Sequence, residues 1–180
     1  MTPATPPARP GPPAPADALE VRLRHPADLP VLARVLGEVH EEDGYPRDWP
    51  ASPEEWVGLP APLGAWVVVW GGEPVGHVAL TAPGQGDVAP GLVAGPVAVV
   101  ARLFVSPRVR GLGAGRVLLA EVCSLAGELG VRPVLDVVSA DTGAVDFYSR
   151  TGWEAVGSGE QEWGGGELVP VHCFAAPLPH

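Results

Sequence analysis

From residue 19, apolar and polar positions first alternate, as in a strand, and then apolar positions recur at helical spacing. The segment LEVRLR, residues 19–24, has the alternation of a half-buried strand. Behind Asp28, which is placed to cap a helix, apolar residues recur at helical spacing; they are Leu29, Leu32, Leu36 and Val39. A loop rich in turn-forming and aromatic residues follows over 41–56. The pattern predicts a strand, a helix and a long loop.

Apolar runs in the middle of the chain predict strands. The runs over 65–70 and 75–82 flank Gly71-Gly72-Glu73-Pro74, which predicts an antiparallel hairpin. A loop rich in glycine and proline covers 83–96. It is followed by VAVVARLFV, residues 97–105, whose nearly continuous apolar character predicts a central strand buried on both faces.

The second half of the chain alternates helix and strand patterns. A helix is expected over 116–129 and ends at Gly130; its predicted inner face is Leu118, Val122, Leu125 and Leu129. The strand over 133–139 is expected to lie parallel to the central strand through a right-handed crossover. A short helix over 142–151 and two terminal strands, 154–159 and 168–176, complete the pattern.

The resulting order is β-α-(α)-β-β-β-α-β-α-β-β. It predicts an α/β (α+β) fold with a mixed central sheet flanked by helices. A chain of 180 residues accommodates one such domain, expected over 19–178, behind a disordered Pro/Ala-rich tail over 1–18. Seven of the first sixteen residues are proline and no apolar signal-peptide core is present there, so a secreted precursor is not expected.

Composition narrows the function classes. The formal net charge is −10 and all eleven basic residues are arginine, which argues against nucleic-acid binding. An acidic surface either attracts cationic small molecules and basic peptides or only maintains solubility. Apolar runs are too short for a membrane span. The two cysteines, Cys123 and Cys173, are expected as buried thiols in a reducing cytoplasm, with no disulfide framework or metal cluster.

A glycine-rich loop joins the central strand to the long helix, in the stretch SPRVRGLGAGRVLLAEV, residues 106–122. Unpaired N–H groups at a helix N-terminus, close approach at glycine and forked arginine hydrogen bonds together favour a phosphate or pyrophosphate. A P-loop is excluded because the chain has no lysine. A dinucleotide fingerprint fails because Arg116 stands at its third glycine and Asp136 lies inside a strand.

The loop instead satisfies R-x-x-G-x-G, with Arg110, Gly113 and Gly115, directly after LFVSP. A second element follows downstream, DVVSADTGAVDFYSRTGW over 136–153. Together the two elements resemble the acyl-CoA loop and the strand–helix–Tyr-x-x-x-Gly-aromatic segment of the GNAT superfamily of N-acetyltransferases. The resemblance covers roughly residues 19–176 and is strongest over 97–153.

The resemblance implies transfer of an acetyl group from acetyl-CoA to a primary amine of a small molecule or peptide, by direct attack in a ternary complex without a metal. Backbone N–H groups of the loop would hold the pyrophosphate; the loop residues are Arg110, Gly111, Leu112, Gly113, Ala114, Gly115 and Arg116. The pantetheine arm would pair along Phe104 and Val105 if the sheet splays there. Tyr148 would protonate the leaving thiolate, although its ring also suits a core position.

Two positions depart from the family pattern. Asp141 stands where an asparagine often begins the short helix; it is expected either to bind the cofactor or to act as an N-cap. The central strand carries no acidic residue near the acceptor, so the usual general base is missing. Other candidate bases are Glu41, Glu42, Asp43, Glu73 and His77, each of which has an ordinary structural role as its alternative.

The acceptor is left open by the sequence. The loops over 41–62 and 83–96 are expected to line its site, with Tyr45, Trp49 and Trp56 either forming its walls or packing the helices. A non-catalytic acyl-CoA-binding sensor or interaction module is the main alternative, and a nucleotide-binding regulatory domain is a third. Fold analogy makes a homodimer one option.

Overall fold

The computed structural model of the chain describes residues 18–163 and 165–178. The predicted tail over 1–18 lies outside these residues except for residue 18. Seven strands form one sheet: β1 (Glu20–Leu23), β2 (Gly64–Trp70), β3 (Glu73–Thr81), β4 (Val97–Val105), β5 (Arg132–Val138), β6 (Glu154–Trp163) and β7 (Glu167–Ala175). The helices are α1 (Leu29–Asp43), α2 (Pro53–Gly58), α3 (Ala114–Leu129) and α4 (Thr142–Arg150).

The sheet is mixed, with strand order β1-β2-β3-β4-β5-β7-β6. Among the described strands only β4 and β5 pair in parallel, and α3 supplies the crossover between them, as the sequence predicts. Helices cover both faces because each must bury an apolar stripe. The helices α1 and α2 pack on one face around Val67 and Phe104, whereas α3 and α4 pack on the other around Leu80 and Val100.

The β2–β3 hairpin turns through Gly71 and Gly72, whose φ angles of 59° and 84° require glycine in a tight hairpin. The sequence placed four residues in this turn, but β3 begins at Glu73, so only two remain. The predicted hairpin is thus correct and its turn is shorter.

The two central parallel strands separate after a short paired region. Their pairing covers only Val97–Val99 with Arg132–Val134. Beyond it, β4 continues along β3 and β5 continues along β7. The expected splay is therefore present, and it opens a cleft between the C-terminal ends of β4 and β5. Side chains at this end of β4, including Ala101 and Leu103, are only partly buried.

A β-bulge lies on β4 where the strands separate. The residues between Ala101 and Phe104 have lost regular pairing with β3, and Arg102 has a φ of 55°. An extra residue reverses which face each later side chain points to. Arg102 and Phe104 consequently lie on the α1/α2 face, whereas Leu103 and Val105 pack on the α3/α4 face.

Three sequence expectations are wrong in detail. Leu129 is 50% exposed, because the buried row of α3 advances in steps of four from Ala114 through Leu118 and Val122. Asp28 precedes α1 without capping it, since its carboxylate binds the Arg22 guanidinium through two contacts of 2.8 Å. Cys123 is exposed on α3, while Cys173 is buried as expected.

Candidate active site

The loop before α3 presents backbone N–H groups at the helix N-terminus. Gly111 and Gly113 have φ angles of 77° and 85°, in the region that favours glycine. The N–H groups of Arg110 and Leu112 bond weakly within the loop, at 3.4 Å. Five others find no acceptor among the described residues: those of Gly111, Gly113, Ala114, Gly115 and Arg116. Free N–H groups at the positive end of a helix dipole are the donors that an anion would need, so the anion site at this loop stays a prediction.

Gly115 has a packing role beside its free N–H group. A Cβ atom there would lie 2.8 Å from Cζ of Phe147, closer than side chains approach each other. Glycine at this position therefore lets the first turn of α3 pack against α4. This contact joins the two segments that the family resemblance placed at the cofactor.

The arginine side chains of the loop bind carboxylates of α1. Arg110 forms an ion pair with Asp43 at the end of that helix. The Nε atom of Arg108 lies 3.2 Å from Oγ of Ser106, which itself donates to Glu38 at 2.8 Å. The expected contact between the Arg110 side chain and a pyrophosphate therefore requires Arg110 to leave Asp43, and it stays a prediction.

Tyr148 lies on α4 inside the α3/α4 core. Its ring is 7% exposed and contacts the rings of Phe147, Trp153 and Phe174, with centroids 5.2 to 5.7 Å apart. Its hydroxyl has no hydrogen-bond partner among the described residues. Burial raises the pKa of Tyr148 well above its usual value. The phenol thus keeps its proton at neutral pH and retains an unused donor.

Asp141 begins α4 as an N-cap. Its carboxylate accepts a hydrogen bond of 3.0 Å from the N–H of Ala144. This is the structural role expected for Asp or Asn at a helix start. A contact between Asp141 and the cofactor stays a prediction.

Phe104 and Val105 lie along the β4 side of the cleft. Because the strand alternates, their side chains point to opposite faces of the sheet. Phe104 is buried and stacks on the His77 ring with centroids 5.5 Å apart. It is therefore the backbone of these two residues that borders the cleft, which suits pairing with an extended amide-containing arm.

Aromatic side chains and an arginine occupy the opposite face of the sheet. The guanidinium carbon of Arg102 lies 3.8 Å from the centroid of the Trp56 ring, and Tyr45 contacts Trp56 edge-on at 6.0 Å. Burial raises the pKa of Tyr45 to about 12. Trp49 lies apart from this group: it is 45% exposed and contacts His40.

Comparison with known proteins identifies the family. The model of the Acetyltransferase (GNAT) family matches residues 30–153, more than half of the chain. The chain belongs to the GNAT family of acetyltransferases. This membership confirms the predicted enzyme class and its co-substrate, acetyl-CoA. A search of the curated proteins finds no match.

Solved structures of GNAT proteins share the fold at low sequence identity. NAA60 from Arabidopsis thaliana, solved with acetyl-CoA, is 17% identical with a TM-score of 0.68 over 88% of this chain and 98% of its own. A GCN5-related N-acetyltransferase from Kribbella flavida is 24% identical with a TM-score of 0.63 over 89% and 98%. The ribosomal-protein-S18-alanine N-acetyltransferase of Escherichia coli is 15% identical with a TM-score of 0.64 over 89% and 94%. These likenesses confirm the predicted GNAT fold.

The candidate bases of this GNAT protein do not converge on the cleft. Asp43 is paired with Arg110, Glu73 stands at the β2–β3 turn, and Glu41 and Glu42 are exposed on the last turn of α1. No group of three or more metal-ligating side chains is found in the described part of the chain. Within that part, no helix is long and apolar enough to cross a membrane.

His77 is a buried structural residue of the GNAT core. Its Nε2 lies 3.0 Å from Nη1 of Arg24, which can only donate, so Nδ1 carries the hydrogen and donates to the Arg102 carbonyl at 2.8 Å. That carbonyl belongs to the bulge, so His77 supports the local bend of β4. Burial lowers the pKa of His77 to about 4. With both nitrogens bonded and 0% exposure, it is not placed to accept a substrate proton.

We expect His77 to make folding acid-sensitive. Its pKa falls from 6.5 when unfolded to about 4 when folded, so its contribution is present above pH 6.5 and is lost as pH falls towards 4. The loss is on the order of 3 kcal/mol of unfolding free energy. In urea unfolding between pH 7.5 and 4, the unfolding free energy should fall more steeply with decreasing pH for the wild type than for His77→Gln. The exposed His172→Gln is the control; equal slopes for all three proteins contradict the assignment.

Arg102 is the residue of this site that the sequence did not single out. The one sequence feature that could have identified it is its position, as a charged side chain inside an otherwise apolar strand. Regular alternation would place Arg102 on the same face as Ala98 and Val100, and the bulge that reverses this depends on pairing with β3.

Proposed function

We propose that this protein transfers the acetyl group of acetyl-CoA to a primary amine of a small molecule or peptide, by direct attack in a ternary complex. The observation that carries the proposal is the position of the anion site. The five free N–H groups, two in the loop and three in the first turn of α3, follow the strand that borders the cleft. A phosphate group held at the loop would thus lead its attached chain into the cleft.

The pyrophosphate of acetyl-CoA would bind the loop from Arg110 to Arg116. Its negative charge would compete with Asp43 for the Arg110 guanidinium, because both bind through charge-assisted hydrogen bonds. Released Asp43 would leave the end of α1 and the following loop less tightly held. Cofactor binding would therefore precede acceptor binding at that loop.

The pantetheine arm would lie in the cleft between β4 and β5. Its amides would pair with backbone groups of Phe104 and Val105 that β5 leaves unpaired there. A backbone N–H of this segment would then stabilise the oxyanion of the tetrahedral intermediate, a contribution typically worth about 10²–10³ in rate. Tyr148 would protonate the departing thiolate.

The amine would be deprotonated through water, not by a side chain on β4. That strand carries no acid, and the other candidate bases lie away from the cleft or are engaged. The acceptor loops would be 41–62 and 83–96. The exposed thiol of Cys123 supports a reducing, cytoplasmic location, and a homodimer remains part of the proposal by fold analogy.

Calorimetric titration tests the first step. Acetyl-CoA and CoA should bind with micromolar affinity, whereas NAD and ATP should not. A panel of amines should then be screened by thiol release from acetyl-CoA, with product mass confirming N-acetylation. Binding without turnover on any amine would contradict catalysis and leave an acyl-CoA-binding module; absence of binding would contradict both.

A further inference from the structure

Arg102 differs from the other arginines of the fold. Three arginines in the described chain are partly buried: Arg24, Arg102 and Arg132. The protein supplies acceptors to two of them. Arg24 donates to two carbonyls and contacts His77, and Arg132 donates to a carbonyl and a carboxylate; these groups are Val57 O, Gly58 O, Ala176 O and Glu154 Oε2, at 2.6 to 2.8 Å. Arg102 has no ion pair or hydrogen-bond acceptor among the described residues, and its Nε is buried without a partner.

The contact with Trp56 leaves the donors of Arg102 unused. A cation–π contact acts through the face of the guanidinium, and the two groups are 3.8 Å apart. The N–H groups lie in the guanidinium plane and need acceptors of their own. An arginine keeps its charge when buried, and leaving that charge unpaired is costly. The buried Nε of Arg102 therefore lacks an acceptor that an anion beside the guanidinium would supply.

The position of Arg102 points to the acceptor. It is the third residue after Val99, the last β4 residue paired with β5, so it stands where the cleft opens. The bulge turns it to the face covered by α1 and α2. Trp56, which belongs to the proposed acceptor loop, lies against Arg102 there, and Tyr45 of the same loop contacts Trp56.

We propose that Arg102 binds a carboxylate of the acceptor, so that the substrate is an amino carboxylic acid. The planar fork of arginine matches the two oxygens of a carboxylate. A zwitterionic amino acid has no net charge, so the net charge of −10 on the protein does not repel it. The inference rests on the proposed acetyl transfer and names the substrate class of that same site.

The test compares acids with their amides on CoA-saturated protein, where no acetyl transfer takes place. Glycine, γ-aminobutyrate and the L-α-amino acids are each titrated beside the matching carboxamide, and the NMR signal of the Arg102 Nε–H is followed. At least one acid should bind about 10- to 100-fold more tightly than its amide and shift that signal. In thiol-release assays with acetyl-CoA, the same preference should appear as a lower KM for the acid than for its amide.

Arg102→Met should abolish the preference for the acid. Arg102→Gly provides a second variant, since a φ of 55° suits glycine and keeps the bulge unstrained. Arg34→Met removes an equal charge from an exposed position of α1 and should leave the preference unchanged. Thermal unfolding checks that each variant is folded.

Three results separate this inference from the function on which it rests. Acids binding no better than amides in the wild type would overturn it, and so would a preference that survives in Arg102→Met and Arg102→Gly. Equal turnover of amines with and without a carboxylate would overturn the inference on Arg102 while supporting acetyl transfer. Selective binding of acids without turnover of any amine would support the Arg102 site and contradict the proposed catalysis.

Discussion

Replacing Tyr148 with phenylalanine is expected to lower the rate of acetyl transfer by about 10²–10⁴, the usual range for a lost general acid. The phenol loses its hydroxyl while the ring keeps its three aromatic contacts, so the core should stay packed. The effect should appear in kcat, with the Kd of acetyl-CoA unchanged by calorimetry. Single-turnover measurement of thiol release reports the chemical step directly.

The other tyrosine of the chain serves as the matched control. Tyr45→Phe makes the same chemical change on the α1/α2 face, beside Trp56. At saturating acceptor its effect on the single-turnover rate should be far smaller than that of Tyr148→Phe, because Tyr45 belongs to the proposed acceptor loop and its change would act on the KM of the acceptor. An unchanged rate in Tyr148→Phe would remove Tyr148 from the mechanism, and a large loss in Tyr45→Phe instead would transfer the role to Tyr45.

Gly113→Asp is expected to abolish acetyl-CoA binding while leaving the protein folded. Gly113 has a φ of 85°, and a Cβ atom added there would meet no protein atom within 4 Å. Asp tolerates this conformation better than most residues, so the fold should lose no more than about 1–2 kcal/mol. The new carboxylate would lie at the free N–H groups before α3, where it would repel and displace the pyrophosphate.

The same helix offers a matched control at its other end. Gly130 also has a positive φ, of 67°, with no protein atom near an added Cβ. It lies about 25 Å from Gly113, because it is 17 residues further along the helix at 1.5 Å per residue. Gly130→Asp should retain acetyl-CoA binding in the same calorimetric titration. If Gly113→Asp binds acetyl-CoA with wild-type affinity, the loop is not the pyrophosphate site.

Local sequence rules predict most of the elements because each element is specified over a few neighbouring residues. The apolar run of β4, the glycine turn before β3 and the capping Asp141 all depend on short-range periodicity or backbone preference. The same holds for the loop before α3, where spacing of glycines and arginines predicts an anion site. The sequence predictions failed where a side chain had two alternative hydrogen-bond partners. Asp28, for example, binds Arg22 and does not cap α1.

The partners of charged side chains could not be predicted from neighbours in sequence. Arg110 is paired with Asp43, from a helix far away along the chain. The pKa of His77 is lowered because the sheet buries its ring and because the positive charges of Arg24 and Arg102 disfavour its protonated form. Burial and long-range contact set both outcomes, and neither quantity is encoded in a short window of sequence.

The sequence by itself determined the order of elements and the GNAT family, because both depend on patterns among residues that are close together in the chain. Only the tertiary structure decided that the sheet splays after Val99 and that the bulge turns Arg102 towards α1 and α2. The physical reason is that strand register and bulges arise from pairing between distant segments, and one extra residue reverses the face of every side chain beyond it.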